Sequence, residues 1–248
     1  MKKVVLIDDE PLARSIIVEF LQSHADIEIA DECNNGFEGV KSITQHQPDL
    51  IFLDIQMPKI NGFEMLELLP AIPNVIFTTA FDEYAIKAFE SNAIDYLLKP
   101  FSQERFNVAL DKWRIKNQSQ PAVNNQLEQF IQSTIKQPEE KNRIVVKNGT
   151  DIRIVPVDDI LYIEAYDDYV KIFTKDTYFL KKKTMNYYEE VLDKTIFFRT
   201  HRSYIINLQE LTKIESLEKN SYVAILKNAK RIPVSRSSYT KLRELWNL

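Results

Sequence analysis

The 248-residue chain has a single cysteine, Cys33. No internal disulfide is possible, and a reducing cytoplasm is the expected setting. Histidine is almost as scarce: His24, His46 and His201 stand singly and form no zinc-type cluster with the lone thiol. The four glycines, Gly36, Gly39, Gly62 and Gly149, spell neither GxGxxG nor a GxxxxGK phosphate loop, which excludes a Rossmann or P-loop nucleotide site. A GxSxG nucleophile elbow is also missing. No apolar run approaches the ~20 residues needed to span a bilayer. Met1-Lys2-Lys3 leads straight into a strand-like run rather than a signal peptide, so no membrane insertion is expected.

Charge is present but unevenly shared. Residues 1–116 carry 11 Lys/Arg against 19 Asp/Glu, whereas residues 141–248 carry 20 against 14. An acidic half joined to a basic half suggests a metal- or phosphoryl-handling domain attached to one that binds a polyanion.

Up to residue 116, apolar runs alternate with helical segments: VVLI before 11–23, IEIAD before 36–46, LIFLD before 61–69, VIFTT before 82–90 and IDYLL before 102–116. In the first helix, Leu12, Ile16 and Phe20 fall at helical spacing. Five strand-then-helix repeats predict an α/β, doubly wound, five-stranded parallel sheet. Strands buried on both faces read as continuous apolar runs, as these do. Residues 117–142 are rich in Gln, Asn, Pro and Ser and read as a polar linker; Leu127, Phe130, Ile131 and Ile135 share one helical face within it. From residue 143 to 248 the short β-branched and aromatic runs RIVVK, DIRIVPV, ILYIEA, YVKIFT, TYFLK, SYIIN and YVAIL predict a mostly antiparallel β domain. Helices are expected at 184–193 and at 236–246, the latter capped by Ser235 with Tyr239, Leu242, Leu245 and Trp246 on its packing side.

Four chemically active groups each follow one of the first-half strands: Asp8 with Asp9, Asp54, Thr79 and Lys99. At the carboxyl ends of parallel strands they can converge despite their separation in sequence. Singly, each has an ordinary explanation: a DD pair reads as a helix cap, a Lys-Pro as a turn, and Thr79 as a strand end. Their occurrence in order, behind the strands of one repeat, points instead to phosphoryl transfer onto Asp54. Three carboxylates and an anionic phosphoryl donor repel one another, which a hard cation such as Mg²⁺ resolves. Asp9 and Asp54 would ligate it directly, Asp8 through water, and Gln56 through its backbone carbonyl. Lys99 would neutralise charge on the phosphoryl oxygens, and Thr79 would donate a hydrogen bond to them.

The motifs VLIDDEPLAR, FLDIQMPKINGFEML, TAFDEYAIKAFE and DYLLKPF resemble those of a response-regulator receiver domain. The resemblance implies Asp54 as the phosphoacceptor of a cognate sensor histidine kinase and Asp8 and Asp9 as its acidic pocket. It further implies Thr79 and Tyr96 as the switch pair, and Lys99 ahead of a cis Pro100. Phe81 would stand at the mouth of the site. The face built from 82–90, 94–98 and 102–114 mixes apolar and charged residues, a composition suited to a phosphorylation-promoted homodimer.

In the basic half, Arg199, His201 and Arg202 crowd between apolar runs in FFRTHRSYIINL, an arrangement suited to phosphate and base-edge contacts. The run Lys181-Lys182-Lys183 alone reads as a solvated charge cluster. DDILYIEAYDDYVKIFT, TMNYYEEVL, FFRTHRSYIINL and IPVSRSSYTKLRELW together resemble the LytTR-type DNA-binding domain, with Thr200 where that family often has cysteine. The resemblance implies reading of promoter half-sites by loops rather than by a recognition helix. Tyr169, His201, Arg202 and Arg236 would be the principal contacts, and Lys171, Lys183 and Arg199 secondary phosphate ligands. The chain is expected to be a cytoplasmic transcriptional regulator, catalytic only in assisting its own aspartyl phosphorylation and dephosphorylation. The rival reading is a receiver-controlled protein- or RNA-binding module.

Overall fold

The computed structural model describes residues 1–80, 93–118, 142–148, 151–217 and 221–245. The segment 82–90, Phe81, the face of Leu127 to Ile135, and Trp246 lie outside them. The chain divides into two compact units, Met1–Ile135 and Lys136–Leu248.

The first unit runs β1 (Lys2–Ile7), α1 (Pro11–Leu21), β2 (Ile27–Cys33), α2 (Gly36–His46), β3 (Leu50–Leu53), α3 (Gly62–Glu67), β4 (Asn74–Thr79), β5 (Asp95–Leu98) and α4 (Gln103–Gln118). The five strands form one parallel sheet in the order β2-β1-β3-β4-β5; the central β1 and β3 are the continuous apolar runs, whereas IEIADEC of β2 is an edge strand largely half-buried or exposed. Alternate strand residues feed opposite layers. Val4, Leu6, Phe52, Ile76 and Leu97 pack with Ile17 and Leu21 of α1 and with Phe106, Leu110 and Trp113 of α4. On the other face, Phe77 meets Phe63 of α3, ring centroids 5.2 Å apart.

Helix α1 keeps only part of the face its spacing suggests: Phe20 packs against Phe101 and Phe106. Leu12 is 74% exposed and Ile16 37%, while Arg14, Ile17 and Leu21 are buried. The rotation has a polar cause: Arg14 Nη1 donates to the Asp8 carbonyl at 2.6 Å, and its Nε lies 3.4 Å from Glu32. A helix that must turn an arginine inward carries the apolar stripe one residue further on.

Helix α3 starts with a buried capping box, in which Asn61 accepts from the Glu64 amide and Glu64 from that of Asn61. A Cβ at Gly62 would stand 2.5 Å from the Asp54 carbonyl oxygen. Only glycine lets this helix close on the strand end that carries Asp54.

The second unit is antiparallel throughout. A hairpin of β6 (Arg143–Asn148) and β7 (Asp151–Pro156) precedes β8 (Tyr162–Tyr166), β9 (Tyr169–Phe173), β10 (Tyr178–Lys181), α5 (Met185–Val191), β11 (Phe197–His201) and β12 (Tyr204–Asn207). Then follow β13 (Leu211–Leu217), β14 (Ser221–Leu226), β15 (Arg231–Val234) and α6 (Arg236–Leu245). The sheets are ordered β10-β9-β8-β12-β11 and β13-β14-β15. The larger sheet serves two cores. Ile163, Ile172 and Ile205 point to α5 and the first hairpin, and Tyr162 and Ile206 to α6 and the smaller sheet.

Strands β11, β13 and β15 have no counterpart among the predicted runs. LTKIESL places its exposed polar residues among half-buried ones, so no apolar run announces it. RIPV carries Pro233 and holds the sheet edge, where a missing N–H is tolerated. Both helices stand close to their expected spans. Thr184 caps α5 by accepting from Tyr187, and Ser235 accepts from the Ser238 amide at 3.1 Å. Leu242 is fully buried, and Tyr239 stacks on Tyr222 at 3.7 Å.

Candidate functional site

The parallel sheet brings its chemical residues to one edge. Asp8 follows β1, Asp54 follows β3, Thr79 ends β4, and Lys99 follows β5. Main-chain bonds join neighbouring strand tips: Asp54 N to Ile7 O at 2.8 Å, Asp8 N to Cys33 O at 3.1 Å, and Lys99 N to Thr79 O at 2.8 Å. The Lys99–Pro100 bond is cis, as the resemblance implies.

Lys99 Nζ reaches three carboxylates, Asp8 at 2.7 Å, Glu10 at 3.0 Å and Asp54 at 3.3 Å. Carboxylate oxygens of Asp8, Asp9 and Asp54 lie within 4.8 Å of one another. Asp8 and Asp54 are 1% and 5% exposed, Asp9 half-buried. Burial pushes Asp54 up to about 6; Asp8 adds to the rise and Lys99 opposes it. Burial likewise raises Asp8 above the usual carboxylate value, against Lys99 and the Glu10 amide. Burial alone would lower the Lys99 pKa, but its carboxylate partners raise it, so the ammonium is firmly charged. Clustered oxygens that resist ionisation suit a hard divalent cation with oxygen ligands. Gln56 is positioned beside this cluster, its amide donating to Asp54 Oδ1 at 3.3 Å.

Thr79 is fully buried, and its hydroxyl has no hydrogen-bond partner among the described residues. Tyr96, on the next strand, is 5% exposed. Its carbonyl accepts from Arg105 Nη2 at 2.7 Å, and the same guanidinium grips buried Asp95 through both nitrogens at 2.7 and 2.8 Å. Three neighbours of the cluster stand outside the expected set: Glu10, Arg14 and the Asp95–Arg105 pair. Glu10 is legible beside Asp8 and Asp9; Arg14 needs the rotation of α1 to be known.

In the second unit, pairing of Tyr204 with Glu164 and of Tyr166 with Tyr169 sets the β11–β12 and β8–β9 turns at the same end of the sheet. The Ala165 amide donates to Ser203 O at 2.9 Å, and the Ser235 amide, at the start of α6, to Thr200 O at 2.8 Å. Tyr169, Arg202 and Arg236 are exposed at this end, with His201 half-buried among them. A groove of about 920 Å³ is lined there by Arg199, His201, Arg202, Ser235, Ser237 and Lys241 among others.

The three secondary residues differ. Lys171 Nζ sits 3.7 Å over the Tyr166 ring and remains half-buried. Lys183 is only 7% exposed, its ammonium 4.4 Å from the Tyr187 ring centroid. That position, with the ammonium packed on an aromatic face inside the fold, argues against the expected role of phosphate ligand. Arg199 is occupied by Glu189 and Asn186 of α5.

The family models agree with this division: "Response regulator receiver domain" matches residues 4–111 and "LytTr DNA-binding domain" residues 150–247. The sensory transduction protein LytT of Bacillus cereus is 33% identical over 248 residues, covering 99% of each chain. The chain belongs to the LytTR response regulators. Another relative, the transcriptional regulatory protein BtsR of Escherichia coli, is 37% identical over 251 residues, covering 98% of both chains. Among solved structures, the response regulatory domain of mrkE from Klebsiella pneumoniae is 31% identical, covering 48% of this chain and 99% of that one at a TM-score of 0.43. LytTR response regulators pair a receiver domain with a DNA-binding domain and regulate transcription. Among the described residues no helix is long and apolar enough to cross a membrane.

Proposed function

We propose that this LytTR response regulator accepts a phosphoryl group on Asp54 from a cytoplasmic sensor histidine kinase, dimerises, and then binds repeated promoter half-sites. Residues 1–116 act as receiver, 117–142 as joint and 143–248 as DNA reader. The observation that carries the reading is the meeting of Asp54, two acidic neighbours, a charged lysine and a buried, unbonded hydroxyl at one sheet edge.

In the transfer, an Asp54 carboxylate oxygen attacks phosphorus as the P–N bond to the donor imidazole breaks. Lys99 balances the charge gathering on the phosphoryl oxygens, and positioning with electrostatics supplies most of the catalysis. Mg²⁺, held by Asp8, Asp9, Asp54 and the Gln56 carbonyl, would screen the donor anion from the acidic pocket. Thr79 donates its hydroxyl hydrogen to a phosphoryl oxygen, and Tyr96 follows it in the switch. Output contacts come from Tyr169, His201, Arg202 and Arg236, with Lys171 as an auxiliary cation.

The test uses the full chain with a small phosphodonor. Wild type plus Mg²⁺ should gain one phosphoryl group and bind promoter duplex more tightly, while Asp54→Asn stays unmodified. Labelling that survives Asp54→Asn or EDTA refutes the site. A band shift that RNA competes away as well as DNA refutes the output.

A further inference from the structure

The Arg202 turn is held by a side chain that looks like part of the DNA-contacting set and is committed elsewhere. Arg199 Nη1 donates to Glu189 Oε2 at 2.5 Å and to Asn186 Oδ1 at 2.6 Å, both on α5; its Nη2 donates to the carbonyl of Arg202 at 2.9 Å. Its side chain is 22% exposed. We propose that Arg199 is a positioning residue for the β11–β12 turn: anchored on α5, it holds the Arg202 carbonyl and so sets where the Arg202 and His201 side chains point.

The backbone around it shows why such a brace is needed. The register shifts between Arg199 and His201, so Thr200 is an extra residue, and His201 already pairs with Tyr204. Only Arg202 and Ser203 remain to turn the chain. Bulges bend a strand and re-aim its side chains, and the bent segment needs its polar groups satisfied from outside the ladder. Three of these groups find a partner. The Arg202 carbonyl takes the guanidinium, the Ser203 carbonyl takes the Ala165 amide, and the Ser203 amide donates to His201 Nδ1 at 3.3 Å. Because an amide only donates, His201 Nδ1 is the acceptor and the ring proton of the neutral side chain belongs on Nε2.

The main chain of the same segment holds the other reading residue. Ser238 Oγ donates to the Arg199 carbonyl at 3.1 Å and the Ser235 amide to that of Thr200 at 2.8 Å, fixing the helix start that bears Arg236. Arg199 is therefore the node that ties α5, the Arg202 turn and the first turn of α6 into one rigid unit. Its charge is matched by Glu189, so it adds little to the attraction for a polyanion. A site on a braced element reads bases more selectively than one on a free loop, because the geometry is paid for before binding.

The inference rests on the DNA-binding reading above. The probe is a duplex selected by the full-length wild type from a random-sequence pool, measured beside a scrambled duplex from 50 to 300 mM salt. Arg199→Ala and Arg199→Lys should each lower the preference for the selected duplex by about tenfold, the scale of a misplaced bidentate base contact, with the salt slope unchanged. Glu189→Gln should lower the same preference, although removing an acidic group next to a polyanion would by charge alone strengthen binding to both duplexes. The inference is overturned if Arg199→Lys retains wild-type preference while Arg199→Ala weakens both duplexes alike and lowers the slope by about one, the mark of a phosphate contact. It is also overturned if Glu189→Gln leaves the preference unchanged, a result available even if Arg199→Ala fails to fold. A wild type that selects no duplex removes the DNA-binding reading itself, and this inference with it.

Discussion

The amide of Lys99 donates to the carbonyl of Thr79 at 2.8 Å. The lysine that pairs with Asp54 and the residue that carries the unbonded hydroxyl are thus joined across two neighbouring strands. On the proposed phosphorylation, a phosphoryl group drawing on both side chains would pull on a single backbone link. A buried hydroxyl without a partner costs the resting protein about 1–3 kcal/mol. Thr79→Val should therefore leave the unphosphorylated protein as stable as wild type or up to about 1 kcal/mol more stable. It should still take label at Asp54 but lose phosphorylation-dependent dimerisation. Urea unfolding beside light scattering, with and without phosphodonor, tests both parts.

The acidic pocket should cost stability at neutral pH. Burial lifts Asp54 from 3.8 to about 6. A carboxyl with a raised folded-state pKa contributes stability that is full below its unfolded value and lost as pH rises through its folded value. In EDTA at pH 7.5, Asp54→Asn is expected to be about 1–2 kcal/mol more stable than wild type. The gain should shrink as pH falls through 6 towards 4. Chemical denaturation across that range measures it, and a gain independent of pH would rule out the buried charge as its cause.

Asp95 should behave in the opposite sense. Burial pushes its carboxyl up, but Arg105, the Tyr96 amide and Lys112 outweigh burial and hold it below its usual 3.8. A lowered pKa contributes stability present above the unfolded value and lost as pH falls through the folded one. Asp95→Asn should cost about 1–3 kcal/mol at pH 7, and the difference from wild type should narrow below pH 4. The same denaturation series, extended to lower pH, reads it directly.

Lys183 tests burial against charge. With its ammonium over Tyr187 and 7% of its surface exposed, Lys183→Ala should lower stability by about 1–2 kcal/mol. It should leave the salt dependence of DNA binding unchanged. Loss of one unit of salt slope with no loss of stability would show that the side chain leaves its place to meet a phosphate.

The receiver is legible because a parallel sheet writes its topology in sequence. The buried strands carry apolar runs, and Asp8, Asp54, Thr79 and Lys99 stand at or just after their ends, so they can be placed from the residues alone. Contacts that cross between elements are not legible. Nothing local says that Arg14 turns inward to the Asp8 carbonyl, or that Leu12 and Ile16 therefore face outward. In the output unit, the tandem cations in FFRTHRS look alike. Only the fold separates Arg202, exposed on the turn, from Arg199, held by Glu189. Lys183 and Tyr187 stand four apart across the Thr184 cap, so the burial of the third lysine in KKK depends on α5 packing that the charge run itself conceals.

The strand order β2-β1-β3-β4-β5 has a consequence for the protein as it is made. Asp54 is held between β1 and β4, but its lysine arrives only after β5, the last strand to be added at the sheet edge. A nascent chain halted on the ribosome before residue 95 would carry the nucleophile without Lys99 and without the backbone link that closes Thr79. Such a fragment lacks the assembled cluster, which comes only with the completed domain.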